Sequence, residues 1–149
     1  MKLTTNFSLL EFIPQTIYKK WGDKSVQFLD MRIVHFAQAV RDNLKMPIVI
    51  NNWHLGGKYQ ESGLRAFNTK TGASMSQHKF GRAVDLKIAD GKGGVRSDSG
   101  EILRKHVQDN WDRYKQWITT TEADTDTWAH FDCRYTGMDT LLIVPMPKK

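Results

Sequence analysis

The chain has 149 residues, with 22 lysines and arginines against 16 aspartates and glutamates, and a formal net charge of +6. That length predicts one domain over residues 1–149, and the single cysteine excludes both an internal disulfide and the paired-cysteine zinc modules. No stretch approaches the ~20 apolar residues that span a membrane, and residues 1–12 have neither the apolar core nor the small-residue cleavage site expected of a secretory signal. We therefore expect a protein made in the cytoplasm that does not insert into a membrane.

Two helices are predicted from apolar residues at helical spacing. The first covers residues 25–45 and is stopped by Pro47, and the second covers residues 99–118. Asp98, with Glu101 three residues later, resembles a capping box at the start of the second helix. The apolar stripes are Leu29, Ile33, Phe36, Val40 and Leu44 in the first helix, and Leu103, Val107, Trp111, Tyr114 and Ile118 in the second.

Four strands are predicted, and a long irregular stretch at residues 52–78 separates the first two. An unstructured segment of that length in a small domain is usually functional or partly disordered. Helices gathered around a small antiparallel sheet favour an α+β fold. The predicted strands are Ile48–Asn51, Arg82–Ile88, Trp128–Tyr135 and Leu141–Val144.

The two inner strands each alternate between apolar and ionisable residues. Asp85 in Arg82–Ile88, and His130 in Trp128–Tyr135, point away from the apolar face of their strand. If the two strands are neighbours, Asp85 and His130 share one side of the sheet. His78, in the loop before the first of these strands, can reach the same side.

Two imidazoles and one carboxylate suit a catalytic zinc ion, which takes three protein ligands and leaves a fourth position for water or substrate. Such an ion polarises a carbonyl and activates water, so it supports amide hydrolysis at neutral pH. Spacing alone also allows a loop histidine at His78, an ion-paired carboxylate at Asp85 and a half-exposed strand residue at His130. Both interpretations stay open at this point.

The sequence SQHKFGRAVDL, at residues 76–86, matches the SxHxxGxAxD signature of the zinc D-alanyl-D-alanine carboxypeptidase family. That family includes vancomycin-resistance dipeptidases and phage L-alanyl-D-glutamate endolysins. TWAHFD, at residues 127–132, resembles the family's second element, an aromatic-x-His strand that carries the last zinc ligand. NFSLLEF resembles the N-terminal segment of one branch, and ESGLR resembles the SGYR element, so the resemblance covers roughly residues 6–135.

The resemblance implies the small α+β fold that these peptidases share with the hedgehog signalling domain. It implies one zinc ion, with His78, Asp85 and His130 as the metal ligands. Arg65 is implied as the catalytic cation that stabilises an oxyanion or holds a substrate carboxylate, a role that suits its planar fork. Ser76 is implied to line the substrate site.

The general base departs from the family pattern. Members place a glutamate or aspartate three residues before the last histidine, where this chain has Thr127. Asp126 is predicted to act instead, provided that the loop bends, because a one-residue shift reverses the face of an extended segment. Asp132 on the same strand face is an alternative, and so is a protein that binds metal without turnover. The other carboxylates of this acidic loop are Glu122 and Asp124.

The expected function is therefore a zinc metallopeptidase that hydrolyses peptidoglycan stem peptides, as a D,D-carboxypeptidase or an endopeptidase. Trp128 is expected to line the substrate cleft, and the basic charge suits an anionic bacterial wall reached by a phage lysin or virion enzyme. The first alternative is a non-catalytic module that binds metal and wall peptides or a protein partner. An iron oxygenase fits less well, because no histidine follows the HxD at His130-Phe131-Asp132. Specific nucleic-acid binding is not expected, because no basic helix is present.

Overall fold

The computed structural model describes residues 1–146, which form an α+β fold, as the sequence predicts. The helices are α1 (Gln15–Trp21), α2 (Met31–Leu44), α3 (Ser99–Asp109) and α4 (Trp111–Tyr114). The strands are β1 (Ile48–Val49), β2 (Ala83–Ile88), β3 (Thr120–Glu122), β4 (Ala129–Asp132) and β5 (Leu142–Val144). Within this part of the chain, no helix combines the length and the apolar character needed to cross a bilayer.

The strands form one open sheet in the order β1-β2-β4-β3-β5. All neighbouring pairs are antiparallel except β3 and β5, which run parallel, so the sheet is mixed and not purely antiparallel as predicted. The central pair, β2 and β4, sets Asp85 directly opposite His130. The predicted neighbourhood of the two inner strands is therefore confirmed, and both ionisable side chains lie on one face of the sheet.

The opposite face of the sheet carries the hydrophobic core. Leu86 and Phe131 are fully buried there, under α2 and α3. The rings of Phe36 and Phe131 meet edge to face, with centroids 4.9 Å apart. Each fully buried side chain of this kind contributes about 1.5–3 kcal/mol to stability. The helices therefore cover one face, and the face with the ionisable groups is free to form a site.

The first predicted helix begins later than expected. Instead of one helix over residues 25–45, a 3₁₀ helix at Gly22–Phe28 precedes α2. The carboxylate of Asp30 accepts a hydrogen bond from the backbone N–H of Arg32 at 3.0 Å, and this cap fixes the start of α2. Lys45 is left-handed, with φ 55°, and ends the helix before the proline.

The second predicted helix, residues 99–118, is divided at Asn110 into α3 and α4. The side-chain amide of Asn110 donates to the carbonyl of His106 at 2.8 Å, which favours a helix end there. The predicted capping box is wrong, because Asp98 makes no cap hydrogen bond and pairs with Arg96 instead.

The four predicted strands are present but shorter, and β3 was not predicted at all. Its residues lie at the start of the stretch that the sequence indicates as an acidic loop. A hydroxyl of β3, that of Thr121, donates to the backbone carbonyl of His130 at 2.7 Å and fastens β3 to β4. The irregular stretch at residues 52–78 is confirmed, since it contains only short 3₁₀ turns.

Candidate metal centre

Three ligand atoms converge on the open face of β2 and β4. His78 Nε2 lies 3.2 Å from Asp85 Oδ1 and 3.1 Å from His130 Nδ1, and the last two atoms are 3.0 Å apart. All three residues are buried. The structure thus brings together the three residues that the sequence predicts as metal ligands.

The turn before β2 sets the seven-residue spacing between the first two ligands. Ser76 caps the short 3₁₀ helix Gln77–Phe80, and its Oγ accepts a hydrogen bond from the N–H of His78 at 3.3 Å. Gly81 then reverses the chain with φ 68°, and a Cβ there would lie 1.9 Å from the carbonyl oxygen of Phe28. Only glycine fits at this position, so the turn that aims His78 at the sheet depends on it.

Hydrogen bonds on the outer side of each ring decide where the histidine protons lie. His78 Nδ1–H donates to the carbonyl of Gly63 at 2.7 Å, and His130 Nε2–H donates to Asp132 Oδ2 at 2.8 Å. A neutral histidine carries one ring proton, so whenever both rings are neutral, their inner nitrogens present lone pairs toward Asp85. Three electron-rich atoms this close together repel one another unless a proton or a cation lies among them.

The spacing and the chemistry of these donors fit a metal ion. Ligands about 2.0–2.1 Å from a tetrahedral zinc ion lie roughly 3.3 Å apart, close to the 3.0–3.2 Å observed. Imidazole and carboxylate also accept manganese, iron and cobalt. The buried His-Asp-His group can therefore hold a divalent cation.

The ionisation of the centre follows from burial and from these contacts. Burial alone raises the pKa of Asp85, but the charge of His78 and hydrogen bonds from both histidines hold that pKa well below its usual range. Burial lowers the pKa of His130, whereas its hydrogen bonds to Asp132 and Asp85 raise the pKa to about 10. A proton and a metal ion therefore compete for His130 at neutral pH.

Asp132, one of the alternative general bases, lies behind His130 and is buried. It accepts a hydrogen bond from His130 on the outer side of the ring, and Arg134 donates Nε–H to its Oδ1 at 2.8 Å and Nη2–H to its Oδ2 at 2.5 Å. Burial raises the pKa of Asp132, but the hydrogen bonds from Arg134 and His130 lower it to about 2. Asp132 therefore orients the ligand His130 as a permanent carboxylate.

The structure also brings Arg65 to the centre. Its Nη2 lies 3.1 Å from Asp85 Oδ2, the carboxylate oxygen that the histidines do not contact. Its Nε–H donates to the carbonyl of Glu61 at 2.7 Å. The carboxylate of Glu61 accepts hydrogen bonds from the hydroxyls of Thr69 and Thr71, and these bonds connect the two ends of the loop that contains Arg65. The guanidinium is thus fixed beside the ligand atoms.

Two cavities flank the centre, and both are lined by Arg65, Asp85 and Trp128. The larger, which we call the metal cavity, has a volume of about 480 Å³ and is also lined by Ser76, His78, Glu122 and His130. The smaller, which we call the lysine cavity, has a volume of about 410 Å³ and is also lined by Lys58, Tyr59, Ser62 and Lys87. Because they share these three lining residues, the two cavities adjoin at the candidate metal centre, and we call them together the cleft.

Of the carboxylates of Glu122 and Asp126, the first lies at the candidate metal centre and the second does not. Asp126, predicted as the general base, is exposed and lines neither cavity, and its backbone carbonyl accepts from the N–H of Gly100 at 2.7 Å. Glu122 lines the metal cavity. The pairing of Thr121 with Phe131, continued by one residue, sets Glu122 beside the ligand His130. Alternation along β3 could have indicated Glu122, had β3 been recognised as a strand.

No protein-family model, curated protein or solved structure matches this chain. The fold and the site by themselves define a small α+β protein with a five-stranded open sheet and a buried His-Asp-His group that can hold a metal ion.

Proposed function

We propose that the protein is a zinc-dependent peptidase that hydrolyses amide bonds of peptidoglycan stem peptides, as a D,D-carboxypeptidase or an endopeptidase. The observation that carries this proposal is the convergence of two imidazole lone pairs and a carboxylate oxygen within 3.2 Å, on the floor of a cleft. A zinc ion bound there supplies Lewis acidity toward a carbonyl and toward water. His78, Asp85 and His130 would hold it.

Glu122 is the general base in this proposal. Its carboxylate lines the same cavity as the ligands, on the strand next to that of His130. A carboxylate in that position can accept the proton of the attacking water and pass it to the leaving amine, a role worth about 10²–10⁴-fold in rate. Glu122 thereby takes the role that the sequence assigns to Asp126.

Arg65 and the cavity walls orient the peptide. The guanidinium of Arg65 lies against the metal ligands, where it can stabilise negative charge that develops on the carbonyl oxygen or can hold a substrate carboxylate. Ser76 and Trp128 line the cleft and hold the peptide across the centre.

The proposal also includes the fold family and the place where the protein acts. The SxHxxGxAxD motif, the order of the elements and the metal centre support a hedgehog/D,D-peptidase-like fold. The net charge of +6 favours contact with an anionic bacterial wall. We therefore propose that the protein acts at the cell wall, as a phage lysin or a virion enzyme.

A second candidate is a non-catalytic relative that binds metal and wall peptides or a protein partner. The observation that favours it is Thr127 at the position of the family's general base, together with the exposure of Asp126. In that case, the centre would be structural, and Glu122 would line the cavity without accepting a proton.

Incubation with purified bacterial cell walls separates the two candidates. The zinc-loaded protein is expected to release new amino groups from the walls, to lose this activity in a chelator and to regain it when zinc is added. Protein that pellets with the walls and releases no amino groups would favour the binding module instead. Release that continues unchanged in the chelator would contradict a metallopeptidase.

A further inference from the structure

Lys87 lies two residues after the metal ligand Asp85, on the same face of β2. Although it is a lysine, only 3% of it is exposed. Its Nζ donates to Ser62 Oγ at 2.7 Å and to the backbone carbonyl of Asp85 at 3.3 Å, and it lies 4.6 Å from the ring centroid of Tyr59. These contacts hold the amino group in the wall of the lysine cavity.

No carboxylate oxygen of residues 1–146 lies within 4.0 Å of Nζ of Lys87. The carboxylate nearest in sequence, Asp85, is engaged by both histidines through Oδ1 and by Arg65 through Oδ2. An ammonium group has three protons, and two of them are donated to Ser62 Oγ and to the carbonyl of Asp85. A buried ammonium without a paired anion is costly, so this arrangement favours an anion that arrives with a ligand.

The other groups that line the lysine cavity also favour an anionic ligand. Ser62 Oγ accepts a hydrogen bond from Lys87, so its own hydroxyl proton is free to be donated to an anion. Glu61, the other carboxylate of the cavity wall, has its two oxygens bound by threonine hydroxyls at 2.5 and 2.6 Å. Tyr59 and Trp128 add aromatic surface to the wall of the cavity.

We infer that Lys87 and Ser62 form a subsite that binds a carboxylate of the substrate in the lysine cavity, beside the metal centre. The inference rests on the proposed peptidase function and narrows its substrates to peptides with a carboxylate close to the scissile bond. A stem peptide offers two such groups, the C-terminal carboxylate and the α-carboxylate of its γ-linked D-glutamate.

Three synthetic peptides test the subsite. They are L-Ala-γ-D-Glu-L-Lys-D-Ala-D-Ala, the same peptide with a C-terminal amide, and the same peptide with the glutamate α-carboxylate amidated. Calorimetry on zinc-loaded protein gives each Kd, with Glu122→Gln in every sample to prevent turnover. Lys87→Met is expected to raise the Kd of the unmodified peptide about tenfold or more, since charged hydrogen bonds are lost. With Lys87 intact, one of the two amidations is expected to raise the Kd by a similar factor. For that amidated peptide, Lys87→Met is expected to raise the Kd no further.

Two further variants keep the test independent of folding. Ser62→Ala leaves the charge and the backbone contacts in place, and it is expected to raise the Kd severalfold for the same peptides that respond to Lys87→Met. Lys58→Met removes an exposed cation from the rim of the same cavity. It is expected to change all three Kd values alike, by less than about threefold, because exposed charges are screened.

The outcomes separate the subsite from the peptidase. Equal losses for all three peptides in Lys87→Met, no loss for any of them, or no binding by the parent protein would each overturn the subsite. Hydrolysis is measured separately with Glu122 intact. Carboxylate-dependent binding without hydrolysis would overturn the peptidase and leave the subsite standing, whereas hydrolysis that ignores both amidations would overturn the subsite alone.

Discussion

In the candidate metal centre, His130, Asp132 and Arg134 are linked by hydrogen bonds, and Arg134 is accessible to solvent. Arg134 donates two side-chain hydrogen bonds to Asp132, and Asp132 accepts the Nε2 proton of His130. That proton is thereby kept on the outer side of the ring, and Nδ1 is left to face His78 and Asp85. The carboxylate behind a ligand histidine fixes its orientation and raises its basicity. We therefore expect Arg134, which is not one of the candidate ligands, to affect metal affinity.

Replacement of Asp132 by asparagine tests this chain. Asp132→Asn removes the negative charge behind His130, and we expect zinc affinity to fall about 10–100-fold. Competition with a chromogenic chelator measures the affinity. The control is Asp126→Asn, the same chemical change at an exposed position, which should leave zinc affinity unchanged. Equal affinities in the two variants would show that Asp132 does not support the ligand.

Zinc affinity is also expected to depend on pH. Without a metal ion, hydrogen bonds raise the pKa of His130 to about 10, so this residue is protonated at neutral pH. Its protonation stabilises the metal-free fold fully below pH about 6.5, and that contribution is lost as the pH rises through about 10. Zinc must displace the proton, so its affinity should rise with pH, by up to about tenfold per unit.

The same chelator competition, repeated between pH 6 and pH 8, measures this dependence, and calorimetry in buffers of different ionisation enthalpy counts the protons released. An affinity that stays constant over this range, with no proton released, would contradict a protonated His130.

The proposed role of Glu122 as general base is tested by two matched amide substitutions. Glu122→Gln is expected to lower the hydrolysis rate about 10²–10⁴-fold, because the group that accepts the proton is lost. Asp126→Asn is expected to hydrolyse at the parent rate, since Asp126 is exposed and lines neither cavity. Zinc affinity, measured alongside, should change little in either variant. Loss of activity in Asp126→Asn alone would return the role to Asp126.

The strands show which parts of the fold a sequence can predict. Apolar and ionisable residues alternate along β4 and along β2 from Val84 onward, so the faces of these strands, and with them Asp85 and His130, could be predicted. β3 has the sequence Thr-Thr-Glu and contains no apolar residue. Its conformation comes from pairing with β4 on one side and β5 on the other. Glu122 could not be placed at the centre, because its strand is defined only by tertiary contacts.

Helices α2 and α3 were predicted by their apolar stripes, but their ends were not, and the short helix α1 was not predicted. Ile33, Phe36 and Val40 are fully buried, as the helical spacing predicts. The boundaries follow from single side-chain hydrogen bonds, made by Asp30 at the start of α2 and by Asn110 at the end of α3. Such bonds compete with the helix locally, and hydrophobic periodicity contains no information about them.

The turn between the 3₁₀ helix of His78 and strand β2 should tolerate no side chain. Gly81→Ala places a Cβ 1.9 Å from the carbonyl oxygen of Phe28 and also adopts a positive φ, so the backbone must move. Gly91→Ala is the matched control, since Gly91 has φ 76° and no atom within 4 Å of the added Cβ. In the control, the free energy of unfolding should fall only by the cost of a left-handed backbone, about 1–2 kcal/mol.

Urea unfolding measures both variants. Gly81→Ala should lose clearly more unfolding free energy than Gly91→Ala, and its zinc affinity should fall with it, because the turn positions His78. Equal losses in the two variants would contradict the close packing against Phe28.

In the molecule as a whole, core and chemistry lie on opposite faces of one sheet. Helices α2 and α3 bury the apolar face, and the irregular segment at residues 52–78 lies beside the other face and supplies Arg65, Ser76 and His78. Composition and the net charge of +6 do not reveal this division, because they contain no information about which residues share a face. The spacing of the motifs predicted part of this division, because it set His78, Asp85 and His130 on one side of the sheet. The lysine cavity was not foreseen, since it depends on a close approach of Tyr59 and Ser62 to Lys87.

Zinc K-edge X-ray absorption of the protein loaded with one equivalent of zinc tests the central claim most directly. The predicted spectrum shows only nitrogen and oxygen ligands at about 2.0–2.1 Å, with the outer-shell scattering of two imidazoles. The spectrum of His78→Ala should show one imidazole fewer. A spectrum of hydrated zinc, or a sulfur ligand at about 2.3 Å from Cys133, would contradict a centre built from His78, Asp85 and His130.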